Sequence, residues 1–283
     1  MKNLTSILTV ISLLFMISCS DSAPKSEVSA DTSTVQSQEE PKEMLKQAYQ
    51  LFKEGDDAQS IELANQVLEI GKATQNDTLV GRALTSLCRN SQRNLDTVRL
   101  AQLSEQLVKL SEKSREQKWL MYMAHMNAEM WRLIGNMNKA ETYYNQSMEI
   151  SHAIGAKGMY TIDHFNKSFV SVAQGDFETA KQLISKYYQL RKEDDSKSED
   201  AYGLIALAYY LEQQENYPGA HEVATVTRRL FKEQNLFPEP PDEKPLLMVE
   251  EKVKGELDTQ VYDEISKEAV NQSVNSLLAK YLG

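Results

Sequence analysis

Stepping this sequence in units of forty residues returns the same chemical role at fixed positions, with no insertion or deletion between them. From Asn136 the step gives Asp56, Asp96, Asp176 and Asn216, all Asp or Asn. These are the residues best suited to accept hydrogen bonds from the free N–H groups of a helix start. From Ala128 it gives Ala48, Cys88, Ser168 and Ala208, all small, as needed where two antiparallel helices come close. From Ala140 it gives Ser60, Leu100, Ala180 and Ala220, small in four units of five. A glycine column is partial: Gly55, Gly135 and Gly175 hold, whereas Leu95 and Glu215 replace it. Residues 130–148 show the turn of one unit with its flanking helices. An apolar-faced helix ends at Gly135, Asn136 caps the next, and Ala140, Tyr144 and Ser147 mark its face at helical spacing. Such an array needs no single central core, because each hairpin buries its face on its neighbours.

The forty-residue step predicts five helix hairpins over 42–234, with turns near 55, 95, 135, 175 and 215. A stretch rich in Leu, Ala, Glu, Lys and Gln, with few prolines and glycines inside it, supports helix throughout. The formal net charge of −10 argues against general affinity for nucleic acid or anionic membrane surfaces. Cys88 stands in the small, close-packed column and reads as a buried apolar residue rather than a reactive thiol.

The pattern of Trp131, Gly135-Asn136, Ala140 and Tyr144 resembles the tetratricopeptide repeat (TPR). The resemblance covers 42–234 and implies an all-α fold, a right-handed α-solenoid of five TPR-like hairpins closed by C-terminal capping helices. At forty residues the unit exceeds the commonest thirty-four, so each helix is expected to be about one turn longer. The family's proline at the end of the unit is absent here.

The ends of the chain carry different signals. Residues 1–18 combine Lys2 with an apolar run, the pattern of a secretion signal too short for a comfortable membrane span. Met16-Ile17-Ser18-Cys19 resembles a bacterial lipobox, which implies lipidation of Cys19 and a membrane-held envelope lipoprotein of a Gram-negative bacterium, the outer membrane favoured. Residues 19–41 are polar and charged, the composition of a disordered tether. As a random coil, a tether of about twenty residues spans roughly 25 Å. Pro41 is the expected helix start. At the other end, 235–245 holds Pro238, Pro240, Pro241 and Pro245 and reads as a connection; 246–283 reads as a helical cap.

Catalytic signatures do not assemble. The four histidines are scattered, and His125 with Glu129 one turn on has no second histidine, cysteine or aspartate to complete a metal set. No enzyme, cofactor or metal is expected. Met121, Met123, Met126 and Met130 read as adaptable core.

A basic stripe is the stronger binding candidate. Arg82, Arg89 and Arg93 follow i, i+7, i+11 along one side of a helix, and no acidic residue lies between Arg82 and Asn94. The TPR resemblance implies that the inward face of first helices lines a concave groove. It carries these arginines into that groove with Tyr122, His125, Glu129 and Arg132 of the third unit and Tyr202, Ile205 and Tyr209 of the fifth. Arginine grips carboxylate as a two-pronged donor, so the implied partner is an acidic or C-terminal peptide of an unknown protein. A solvated, locally neutralised face is the plainer reading of the same stripe. A sensory module acting through a separate receptor or kinase and a glycan-binding envelope protein are the other functional readings.

Overall fold

The computed structural model describes residues 32–193, 200–236, 238 and 240–283. Among them are thirteen helices: α1 (Thr32–Glu54), α2 (Asp57–Ala73), α3 (Asp77–Arg93), α4 (Thr97–Ser114), α5 (Lys118–Leu133), α6 (Met137–Ala153), α7 (Lys157–Ala173), α8 (Phe177–Glu193), α9 (Asp200–Gln213), α10 (Tyr217–Glu233), α11 (Pro240–Glu256), α12 (Thr259–Ala269) and α13 (Val274–Tyr281). The expected signal peptide and Cys19 lie outside the described residues. No described helix is long and apolar enough to cross a membrane.

The turns explain the period. A residue with left-handed backbone stands at 55, 75, 95, 115, 135, 155, 175, 215 and 235, one every twenty residues wherever the turn is described. At Gly55 the N–H donates to the Phe52 carbonyl, and the Asp56 N–H reaches back to Leu51; the same pair of bonds recurs at Leu95 with Asp96, Gly135 with Asn136, and Glu215 with Asn216. This is the Schellman closure of a helix. It holds the left-handed turn even where the side chain is Leu95 (φ 53°) or Glu215 (φ 61°), so the broken glycine column does not break the geometry.

The residue after the turns at 55, 95, 135, 175 and 215 caps the start of the next helix. Asp56 accepts from the Gln59 N–H at 3.1 Å, Asp96 from Arg99 at 2.8 Å, Asn136 from Lys139 at 3.2 Å, Asp176 from Thr179 at 3.1 Å and Asn216 from Gly219 at 3.0 Å. Each such cap is worth typically about 1 kcal/mol. Asn76 does the same for Leu79 at a turn between hairpins.

From α1 to α11 consecutive helices pack on one another, and the first helices of successive hairpins also touch: α1 with α3, α3 with α5, α5 with α7, α7 with α9. That contact series makes α1, α3, α5, α7 and α9 the inner layer. The small column is fully buried, with Ala48, Cys88, Ala128, Ser168 and Ala208 all at 0% exposure. Burial pushes the Cys88 thiol up to about 12, the mark of an inert group. Gly81 has the same purpose elsewhere: a Cβ there would meet the ring of Trp119 at 2.4 Å. Apolar burial is spread along the array, one cluster under hairpins one to three and another from hairpin four to the C-terminus. The fold is the expected all-α, TPR-like array.

Both proline expectations need correction. The first helix begins at Thr32, ahead of 42, and carries Pro41 inside it. The last connection is shorter than 235–245, because α11 starts at Pro240 with Pro245 within it. Pro240 and Pro241 occupy the first turn, where no N–H donor is needed and a fixed φ favours helix. Leu246, Val249 and Val253 of α11 are buried in one cluster with α9 and α10, and α12 packs on α10, where Tyr262 stacks on His221 at 3.7 Å. Arg228 of α10 ties α11 down through Glu250 at 2.7 Å and Glu243 at 2.6 Å.

Candidate binding groove

The inner layer is lined by two residue columns of the forty-residue step. Lys42, Arg82, Tyr122, Ile162 and Tyr202 form one; Tyr49, Arg89, Glu129, Phe169 and Tyr209 form the other, seven residues on. Eight of the ten border the open clefts of that face, and Phe169 and Tyr209 border a smaller cavity against α11. A helix repeats its direction about every seven residues, so the two columns make one stripe per helix.

At the N-terminal end α1, α3 and α5 enclose a cleft of about 830 Å³. Lys42, Lys46, Arg82, Arg89 and Lys118 border it, against Glu40 and Glu43. This is a cationic concavity on a chain of net charge −10. Lys46 pairs with Glu43 at 2.8 Å, and Lys118 pairs with Glu116. Arg82 is exposed and makes no ion pair among the described residues. Arg89 lies over the Tyr49 ring, 4.8 Å from its centre, also with no carboxylate partner among them. Stacking on an aromatic face leaves the guanidinium edge free to donate. Trp119, at 1% exposure, sits at the back of this cleft with its ring against Gly81.

A central pocket of about 320 Å³ follows, bordered by α1, α3, α5, α7 and α9 and by Asp242 of α11. Arg93 borders it but is already engaged: its Nη1 is 3.0 Å from Asp57, its guanidinium lies 3.5 Å from the centre of the Phe52 ring, and it donates to the Phe52 carbonyl. Glu129 and Arg132 are buried and paired at 2.6 Å; Glu129 also accepts from the Tyr144 hydroxyl and from Gln92 Nε2 at 3.4 Å. Burial opposes the Arg132 charge, but the neighbouring Glu129 carboxylate outweighs it and holds its pKa above the usual value. His125 Nδ1 lies 2.7 Å from Oδ1 of Asp163, a fully buried carboxylate on α7.

Beyond Glu129 the groove is occupied by the protein itself. Lys244, Pro245 and Met248 of α11 close over Arg132, Phe169 and Tyr209. Ile205 does not face open space; it is at 0% exposure, in the cluster that includes the buried face of α11. Tyr202 borders the central pocket, and Tyr122 the N-terminal cleft.

No family model matches the sequence, and no curated protein does. Among solved structures the chain is similar to the apo form of RapI, at 17% identity and TM-score 0.49, covering 81% of this chain and 88% of that one.

The expected residues thus divide. Arg82, Arg89, Tyr122, His125 and Tyr202 border the open groove, Glu129 and Arg132 form a buried pair at its floor, Arg93 is engaged by Asp57, Tyr209 lies under α11, and Ile205 is core. Sequence reasoning missed Lys42, Tyr49, Ile162 and Phe169, although stepping the columns of Arg82 and Arg89 by forty reaches all four. It also missed Asp163 and Asn166, which lie in other columns and become visible only once α7 is placed beside α5. Among the described residues no group of three or more His, Cys, Asp or Glu is placed to hold a metal ion.

Proposed function

We propose that the protein binds an acidic peptide segment of a partner protein in the inner groove, working as a scaffold. The observation that carries this is the N-terminal cleft, where Arg82 and Arg89 lack carboxylate partners among the described residues in a strongly acidic chain. Arginines that face a concave wall without a carboxylate of their own favour a ligand that brings one. A glycan ligand fits less well, because the Trp119 ring is buried against Gly81 and offers no free face for a sugar.

The same reading includes an anchor. Lipid on Cys19 would hold the scaffold at an envelope membrane, each buried methylene contributing roughly 0.8 kcal/mol. A Cys19→Ala chain is then expected to leave the membrane fraction and to take up no palmitate label.

The test is affinity capture from detergent-solubilised membranes with the intact chain and an Arg82→Glu/Arg89→Glu control. A dominant partner that disappears in the control, with unchanged helix content, supports the groove. Equal capture by both rejects it.

A further inference from the structure

His125 and Asp163 stand on successive inner helices, α5 and α7, and the acidic-peptide reading leaves the pair unused. Asp163 is fully buried; Oδ1 holds His125 Nδ1 at 2.7 Å, and Oδ2 has no partner. Its carboxylate fixes the imidazole with a proton on Nδ1. The other ring nitrogen, Nε2, hydrogen-bonds to no described residue, and the ring borders the central pocket at 8% exposure. Burial by itself disfavours the imidazolium, but the Asp163 charge and hydrogen bond, with Glu129 behind them, outweigh it and the opposing Arg89, so the pKa stands above its usual value.

Two further groups border this pocket without partners that satisfy them. Arg89 of α3 has only the Tyr49 and Phe52 rings. Asn166, one turn beyond Asp163 on α7, is 6% exposed and its Oδ1 accepts from nothing. A buried acceptor left in this state costs about 1–3 kcal/mol, which a ligand N–H would recover. The other charged groups facing the pocket are occupied: Arg93 by Asp57 and Glu129 by Arg132, while Asp242 faces it from α11. His164, beside Asp163, has its Nδ1 at 2.7 Å from the Tyr160 carbonyl. α4 and α6 pack on α5 from the outer layer, and α6 brings the Tyr144 hydroxyl to Glu129.

We propose, on the basis of the acidic-peptide reading, that His125 and Arg89 jointly hold one ligand carboxylate while Asn166 accepts the adjacent peptide N–H, which makes ligand capture proton-linked. The ligand class is an acylated acidic residue, carboxylate and amide N–H within one residue of each other. The ligand carboxylate stays ionised between pH 6 and 8, so His125 is the group whose charge changes at the subsite. Affinity is full below the folded pKa of His125 and declines as pH rises through it.

The probes are a blocked alanyl-glutamate dipeptide and its glutamine counterpart, titrated into the full chain carrying nitrogen-labelled histidine. The glutamate probe is expected to raise the His125 titration midpoint and to bind roughly tenfold more weakly at pH 8 than at pH 6, the effect of about one unit of linked pKa. The glutamine probe is expected to do neither. His125→Gln should retain weak, pH-independent binding of the glutamate probe, and Arg89→Gln should weaken it at every pH while keeping the slope. A midpoint unmoved by the glutamate probe, no binding at millimolar concentration, or an unchanged slope in His125→Gln overturns the proposal. Capture of acidic partners that depends on Arg82 and Arg89 but shows no pH slope would remove this inference and leave the groove reading standing.

Discussion

The guanidinium of Arg93 lies 3.0 Å from the carboxylate of Asp57, the first residue of α2, and this contact divides the arginine stripe of α3 into two functions. Asp57 also sits at a helix N-terminus, where a negative charge is favoured. Arg93 therefore staples the second hairpin to the first, while Arg82 and Arg89, on the same side of the same helix, remain open to the cleft.

That division predicts opposite phenotypes for neighbouring substitutions. Arg93→Ala should destabilise the chain by about 1.5–3 kcal/mol, the range for a hydrogen bond to a charged group. Arg89→Ala should lie within about 1 kcal/mol of the parent while weakening acidic ligands. Urea unfolding followed by circular dichroism measures the first difference, and peptide titration the second.

Glu129 and Arg132 form a buried ion pair bordering the groove, with Tyr144 and Gln92 completing it. Glu129→Ala is expected to cost about 3–5 kcal/mol, because the arginine is left uncompensated. Replacing both residues with Met should recover most of that loss in the same unfolding assay. A double variant as unstable as the single one would show that the pair does more than neutralise itself.

Gly81 and Gly158 provide a steric contrast within the helices. Gly81→Ala places a Cβ against the Trp119 ring and should cost about 1–3 kcal/mol. Gly158→Ala meets nothing within 4 Å and should stabilise by about 0.4–1 kcal/mol through the unfolded chain. Melting temperatures of the two variants, one below and one above the parent, check the packing of α3 on α5.

The pH dependence of stability has two histidine contributions of opposite sign. His125, raised by Asp163 despite burial, adds stability that is full below its unfolded pKa near about 6.5 and is lost as pH rises through its folded value. His164 is lowered, chiefly by burial, and costs stability as pH falls below about 6.5. The stability advantage of the parent over His125→Gln should therefore narrow between pH 6 and pH 9. For His164→Gln the penalty of the parent histidine should appear only on the acid side.

Much of the fold was legible because its determinants are local and recur in place. Asp56, Asp96, Asn136, Asp176 and Asn216 are caps in fact as in sequence, since only a short polar side chain can take an N–H three residues on. The half-period of twenty was hidden, because the left-handed turn is imposed by backbone bonds and tolerates Leu95, Glu215 or Gln75 at modest cost. The helix start at Pro240 was hidden because proline reads as a breaker yet fits a first turn, and the start at Thr32 was hidden because Pro41, taken as a first-turn residue, stands inside α1. In the groove, helical spacing put Arg82 and Arg89 on one side of α3, and the TPR resemblance implied that this side was the inner one. The partner of Arg93 did not, since Asp57 stands 36 residues earlier on another helix. Ile205 was misplaced because nothing in the sequence of α9 announces that α11 will lie across it.

Site-specific photocrosslinking tests the central claim most directly. A benzophenone amino acid is placed at Tyr122, in the cleft, or at Val98, exposed on α4 of the outer layer, and the chain is exposed to acidic and basic twelve-residue peptide pools. The account predicts crosslinks to the acidic pool at 122, abolished by Arg82→Glu/Arg89→Glu, and none above background at 98. Equal crosslinking at both positions, or crosslinking at 122 that survives the charge reversal, would contradict a groove built to hold an acidic peptide.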